Sequence, residues 1–204
     1  MDKRKTYWGL IIVAVIGMVL TLGYLIPLQG DQWYPPLAMV EQIVFILAVF
    51  CSLLLCEKAT AKAMHYAFLT FLGLFFLKDI INYASTQLDL GIMLNSIQLN
   101  YIYYGLKIVL LTLLLITSSA RRHFHWMYLG ALLCEGVAFA FFIAINNKEF
   151  IDYFINHVAT ITYVMTMVGV LWPVGAIIMG VKGLIKTADK TIDWEEEEIL
   201  EDQA

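Results

Sequence analysis

Charge is scarce in this sequence: only 15% of its 204 residues are Asp, Glu, Lys or Arg, while 61% are hydrophobic. So little charge excludes an ordinary soluble domain and gives no basic surface for nucleic acid, and a mean hydropathy of +0.76 places the chain among integral membrane proteins. Proline occurs four times and cysteine three times. That leaves no proline-rich linker and no disulfide framework. Cys51 and Cys56 fall about 140° apart around one helix and Cys134 lies on another, so no redox pair is implied and all three read as small core residues. The histidines His65, His123, His125 and His157 are scattered, which suits neither a haem nor a metal cage, and no cofactor is expected. H-E-x-x-H, G-x-S-x-G, a Walker-type glycine loop and C-x-x-C are all missing, so no catalytic residue is identified.

What the sequence has instead is apolar runs long enough to cross about 30 Å of hydrocarbon. They are residues 7–28, 37–56, 63–83, 101–118, 126–145 and 157–181. The reading is an all-α integral membrane protein, a compact bundle of six transmembrane helices, with five or seven as alternative counts. Residues 1–186 form the membrane domain and residues 187–204 an acidic cytoplasmic tail. The first run is too long for a cleaved signal peptide and lacks an A-x-A site, so it reads as a retained helix. Residues 84–100 carry Leu90, Met93, Leu94 and Ile97 at helical spacing, diluted by Gln87, Asp89, Asn95, Gln98 and Asn100. They are expected to lie along the outer surface or extend the fourth helix, with a re-entrant or spanning path as the alternative.

Basic residues set the expected orientation. With the N-terminus inside, Lys3, Arg4, Lys5, Lys58, Lys62, Arg121, Arg122, Lys182, Lys186 and Lys190 fall on the inner side and only Lys148 on the outer side. Both termini are then cytoplasmic, and a bacterial inner (plasma) membrane is the expected location. Arg121, Arg122, His123 and His125 would meet anionic headgroups.

Five charged residues interrupt the apolar runs: Glu41, Lys78, Asp79, Lys107 and Glu135. A charge near the middle of a spanning helix costs roughly 2.5 to 3.5 kcal/mol on the insertion scale, so each needs a partner, a route to the interface or a function. Glu41, Lys78 and Asp79 are close enough to the outer interface to snorkel; Lys107 and Glu135 are deeper. Lys78 and Asp79, as sequence neighbours, point about 100° apart, so separate partners are expected: Lys78 with Glu41 or Glu135, and Asp79 with Lys107. One acid is left over.

Two stripes favour a shared pocket. Asn100, Tyr103, Tyr104 and Lys107 recur at i, i+3, i+4 and i+7 on the fourth run, and Ala38, Glu41, Phe45, Ala48 and Ser52 do the same with small and polar groups on the second. With Asn82 one turn beyond Lys78, they describe a cavity in the outer half, walled by aromatics. It would suit a small polar solute, an ion or a proton path. A buried ion pair that only fixes helix register is the alternative.

The sixth run carries small residues at alternating spacings of four and three: Thr162, Thr166, Gly169, Pro173, Ala176, Gly180 and Gly183. This seam suits close packing, within the chain or in a homo-oligomer, and Pro173 predicts a kink. Gly136, Ala140 and Ala144 form a shorter version on the fifth run. The tail holds Trp194, then Glu195 to Glu198, Ile199 and Leu200. It reads either as a solvated tail or as a docking segment in which Trp194, Ile199 and Leu200 meet a cytosolic protein with a basic groove. The expected partners are therefore the bilayer, a second copy or a membrane subunit, and this cytosolic protein.

The functional expectation is a bundle that binds or conducts a small polar solute or ion. The alternative is a sensor, regulatory or effector subunit that signals through the tail. An intramembrane enzyme would need Glu135, Asp79 or His65 as a base, with helpers that the sequence does not reveal.

Overall fold

A computed structural model describes residues 3–25, 34–88, 97–117, 125–147, 150 and 156–201, without the side chains of 34, 35, 125, 158, 159 and 189–201. Arg121, Arg122, His123 and Lys148 lie outside the described residues, as do the side chains of His125, Lys190, Trp194, Ile199 and Leu200.

The helices are α1 (Lys3–Gly23), α2 (Tyr34–Leu55), α3 (Ala59–Leu88), α4 (Ile97–Thr117), α5 (His125–Ile145), α6 (Val158–Gly169) and α7 (Leu171–Glu201). Among the described residues six segments are long and apolar enough to cross a membrane, the sixth being Thr160–Ala188, which combines α6 with most of α7. An all-helical chain is what such sequences demand. The i to i−4 ladder satisfies the backbone within each segment, as a segment crossing hydrocarbon would need. Hydroxyls use the same device: Thr112 donates to the Ile108 carbonyl at 2.8 Å, and Thr166 to the Thr162 carbonyl at 2.8 Å.

The helix ends follow local chemistry. Pro35 and Pro36 fall in the first turn of α2, where a missing N–H is no loss. Between α6 and α7 the helix is interrupted at Val170, because Pro173 has no N–H to return to the Gly169 carbonyl. Residues 84–88 continue α3 and 97–100 begin α4, while 89–96 are outside the described residues. The expected surface segment is thereby shortened from both ends: Gln87, Gln98 and Asn100 are compatible with helix wherever one face meets polar surroundings.

Sequence neighbours are also spatial neighbours. α1 packs on α2, α2 on α3, α3 on α4, α4 on α5 and α5 on α7, and α7 returns to α1, so six spans close into a ring with α6 against α5. Leu10, Ala14, Ala48, Phe68, Leu72, Leu111, Leu114, Tyr128 and Ala176 fill its interior, each buried to 0% exposure. Ile16, Val19, Leu74, Ile102 and Leu113 are exposed on its outer faces. Apolar residues thus face outward as well as inward.

The expected small-residue seam is used within the chain. A methyl group at Gly169, the end of α6, would lie 2.8 Å from Thr21 Cγ2, and in α7 Gly180 backs onto Ile11 and Tyr7 and Gly183 onto the Tyr7 ring, so both helices meet α1 closely, with Ala176 buried. The shorter stripe on α5 is not used this way. Gly136 has nothing within 4 Å of a Cβ position, and Gly136 and Ala140 are exposed, because Tyr128, Ala131, Glu135 and Ala138 take the inward face. The tight approach on α5 is instead at Gly130, against Leu171 and Trp172 of α7.

Candidate functional site

Lys107 and Glu135 share one level because each lies ten residues from both ends of its 21-residue helix. At 1.5 Å per residue this is about 15 Å from either helix end, too deep for snorkelling. The two form an ion pair in which Lys107 Nζ donates to Glu135 Oε1. Lys107 also donates to the Tyr103 hydroxyl at 3.0 Å and stands 5.7 Å from the centroid of Phe45 and 5.1 Å from that of Tyr103. An ammonium surrounded by a carboxylate, a phenol and two ring faces is compensated on every side it presents here.

The pairing differs from the sequence expectation. Lys78 pairs with its own neighbour, Asp79, at 3.2 Å, and lies 5.5 Å from the Phe75 centroid and 5.9 Å from that of Tyr103. Neighbouring Cβ atoms do diverge, but the four-carbon lysine arm is long enough to curl back. Asp79 is therefore not the partner of Lys107, and Lys78 does not reach Glu41 or Glu135.

Glu41 has a third environment. Its Oε1 lies 2.7 Å from the Thr21 hydroxyl, which is also 2.9 Å from the Gly17 carbonyl, and Tyr24 hydrogen-bonds the same carboxylate. Glu41 is thus held by α1 and the turn after it, at the end of the bundle away from Lys3.

These groups border a cavity of about 320 Å³ inside the ring, lined by Ala38, Glu41, Gln42, Phe45, Tyr103, Tyr104, Lys107, Ala131, Cys134, Glu135, Ala138 and Trp172. Five of the eight expected pocket residues meet there: Glu41, Tyr103, Tyr104, Lys107 and Glu135. Asp79 and Asn82 line a neighbouring cavity of about 350 Å³ with Ala38, Met39, Gln42, Tyr83, Thr86 and Gln87. Lys78 lines neither. Ala38 and Gln42 belong to both walls, and the Gln42 Nε2 is buried with no hydrogen-bond partner among the described residues. Both cavities are of a size that takes small ligands.

Trp172, Ala131, Ala138 and Cys134 have no prominence in the sequence, yet they complete the wall. Trp172 packs edge-on against Phe45, with centroids 5.0 Å apart, and its ring passes where a Cβ at Gly17 would lie, at 2.7 Å. Gly17 therefore seats one side of the pocket. Spacing offered one signal: Ala131, Glu135 and Ala138 recur at i, i+4 and i+7 on α5.

A second polar group lies deeper, toward the end that carries Lys3. His65 Nδ1 is 2.6 Å from the Ala61 carbonyl, which can only accept, so this nitrogen carries the proton and Nε2 accepts. Nε2 accepts from the Tyr128 hydroxyl at 2.5 Å and lies 3.1 Å from Ser52 Oγ, and the Tyr128 oxygen in turn accepts from the Ser52 hydroxyl 2.7 Å away. Cys56 Sγ stands 3.7 Å from His65 Nδ1. These are the helpers of His65 that the sequence did not reveal. All three of Ser52, His65 and Tyr128 have 0% exposure, so the network is closed to substrate and joins α2, α3 and α5. Compared with protein-family models, curated proteins and solved structures, the chain matches none.

Proposed function

We propose that this protein is a multi-pass membrane protein, with both termini in the cytoplasm, that binds a small polar solute or ion in the cavity between α2, α4, α5 and α7 and serves its passage or detection. The observation that carries the reading is a ligand-sized cavity bordered by three charged groups, Glu41, Lys107 and Glu135, inside a ring of predominantly apolar helices. A register-fixing pair needs no cavity beside it. Filling the cavity tests the reading directly. Ala138→Leu is expected to leave thermal unfolding in mild detergent unchanged, yet to remove the concentration-dependent stabilisation that polar solutes or ions give the natural protein. If a broad panel of inorganic ions, amino acids, amines and sugars stabilises neither form, the pocket is not a binding site.

One further observation supports a signalling role for the same site. α7 runs unbroken from Leu171 to Glu201, so Trp172 in the cavity wall and the acidic tail belong to one helix. A shift of Trp172 on binding has a continuous rod along which to reach the tail. Deleting residues 193–204 should abolish the cellular phenotype and preserve solute binding. An unchanged phenotype would rule out the tail as the output.

A further inference from the structure

We infer that the pocket selects small organic cations, ammonium ions with short alkyl groups, over neutral and anionic molecules of the same shape. This rests on the cavity being a binding site and adds the class of ligand. The first reason is charge. Two carboxylates and one ammonium border the cavity, and the ammonium is already engaged: Lys107 donates to Glu135 and to Tyr103 and faces the Phe45 ring. Glu41 is held apart from that pair by Thr21 and Tyr24, leaving the cavity one formal negative charge without a basic counterpart in its wall. An anion entering here would meet two acids and find the lysine occupied.

The second reason is the wall itself. Phe45, Trp172, Tyr103 and Tyr104 supply aromatic surface from three helices, and Trp172 and Phe45 meet edge to face at 5.0 Å. Ring faces attract diffuse cations such as alkylammonium groups, and the attraction grows when both partners leave water. A compact, strongly hydrated ion would gain less from such walls than from a cage of oxygens. Aromatic rings with a nearby carboxylate are the recurring recognition device for alkylammonium groups. Here the bundle already applies it to its own lysine ammonium, over Phe45 and Tyr103.

The experiment is a comparison of isosteres on the purified full-length protein in mild detergent. Choline and ethanolamine are the cations; 3,3-dimethyl-1-butanol is the neutral counterpart of choline, 3,3-dimethylbutanoate the anionic one and glycine betaine the zwitterion. By calorimetric titration, at least one cation is expected to bind ten or more times tighter than the neutral and anionic compounds. Glu41→Gln should reduce that preference at least tenfold, whereas Glu41→Asp, which keeps the charge, should retain it. Gel filtration of both variants verifies folding, and the selectivity of the natural protein stands as a test without them. Equal or tighter binding of the neutral, anionic or zwitterionic compound overturns the inference while leaving the pocket a binding site. No binding by any of these compounds overturns the inference, and if the broad solute panel also leaves the natural protein unstabilised, the pocket reading beneath it falls as well.

Discussion

Replacing Glu135 by Leu alone should cost about 3–5 kcal/mol of stability, and replacing Lys107 by Met alone a similar amount, because each leaves its partner as a buried charge without its counter-charge. Both residues lie ten positions from either end of their helices, and the Lys107 side chain is only 10% exposed, so neither orphan can swing to the interface. The double variant Lys107→Met/Glu135→Leu should recover most of the loss, to within about 1 kcal/mol of the natural protein, since it exchanges an ion pair for apolar groups of similar volume. Reversible denaturant unfolding in micelles measures all four proteins as a double-mutant cycle. Simple additivity would mean that the two residues do not act as a pair. The same cycle separates register from recognition. A stable double variant that has lost solute binding assigns the pair to the pocket; one that still binds normally makes the pair a device for setting α4 against α5.

The six spans are legible because twenty apolar residues in succession have few other fates. Their ends are less so. α3 extends from Ala59 to Leu88, well beyond the apolar run at 63–83, because residues such as Thr60, Lys62, Thr86 and Gln87 favour helix well enough wherever they meet polar surroundings. Interior faces are readable where polar groups recur at helical spacing: the stripe Glu41, Phe45, Ala48 and Ser52 on α2 lies inside the ring, as do Tyr103, Tyr104 and Lys107 on α4. Partners are not readable this way. Lys78 reaches Asp79 through a flexible arm that no periodicity describes, and Tyr128 joins His65 and Ser52 from another helix, 63 and 76 residues away in sequence. Glycines are the least legible. Gly130 and Gly136 look alike in sequence, but only Gly130 meets another backbone, since the packing angle of α5 on α7 decides which turn is the point of closest approach.

That difference gives a prediction of opposite signs on one helix. Gly130→Ala should destabilise by at least about 1–3 kcal/mol, the range for forcing extra methyl groups into a packed interior, while Gly136→Ala should be neutral or stabilising by up to about 1 kcal/mol through helix propensity. At Gly130 the added carbon would lie 2.5 Å from the Leu171 carbonyl oxygen and 2.9 Å from the Trp172 nitrogen, and these are backbone atoms that cannot rotate aside. At Gly136 it would meet nothing within 4 Å. Gly175, which faces the Trp126 carbonyl at the same crossing, should behave as Gly130 does, and Leu at either position should prevent recovery of folded protein. Thermal unfolding of the three alanine variants in one detergent is sufficient to decide. A destabilised Gly136→Ala beside an unaffected Gly130→Ala would mean that α5 is rotated from the position described. The consequence extends to the site, because Ala131 and Trp172, the immediate neighbours of this crossing, are part of the cavity wall. Separating α5 from α7 therefore shifts two walls at once, and any Gly130→Ala protein that still folds should bind solutes more weakly than Gly136→Ala.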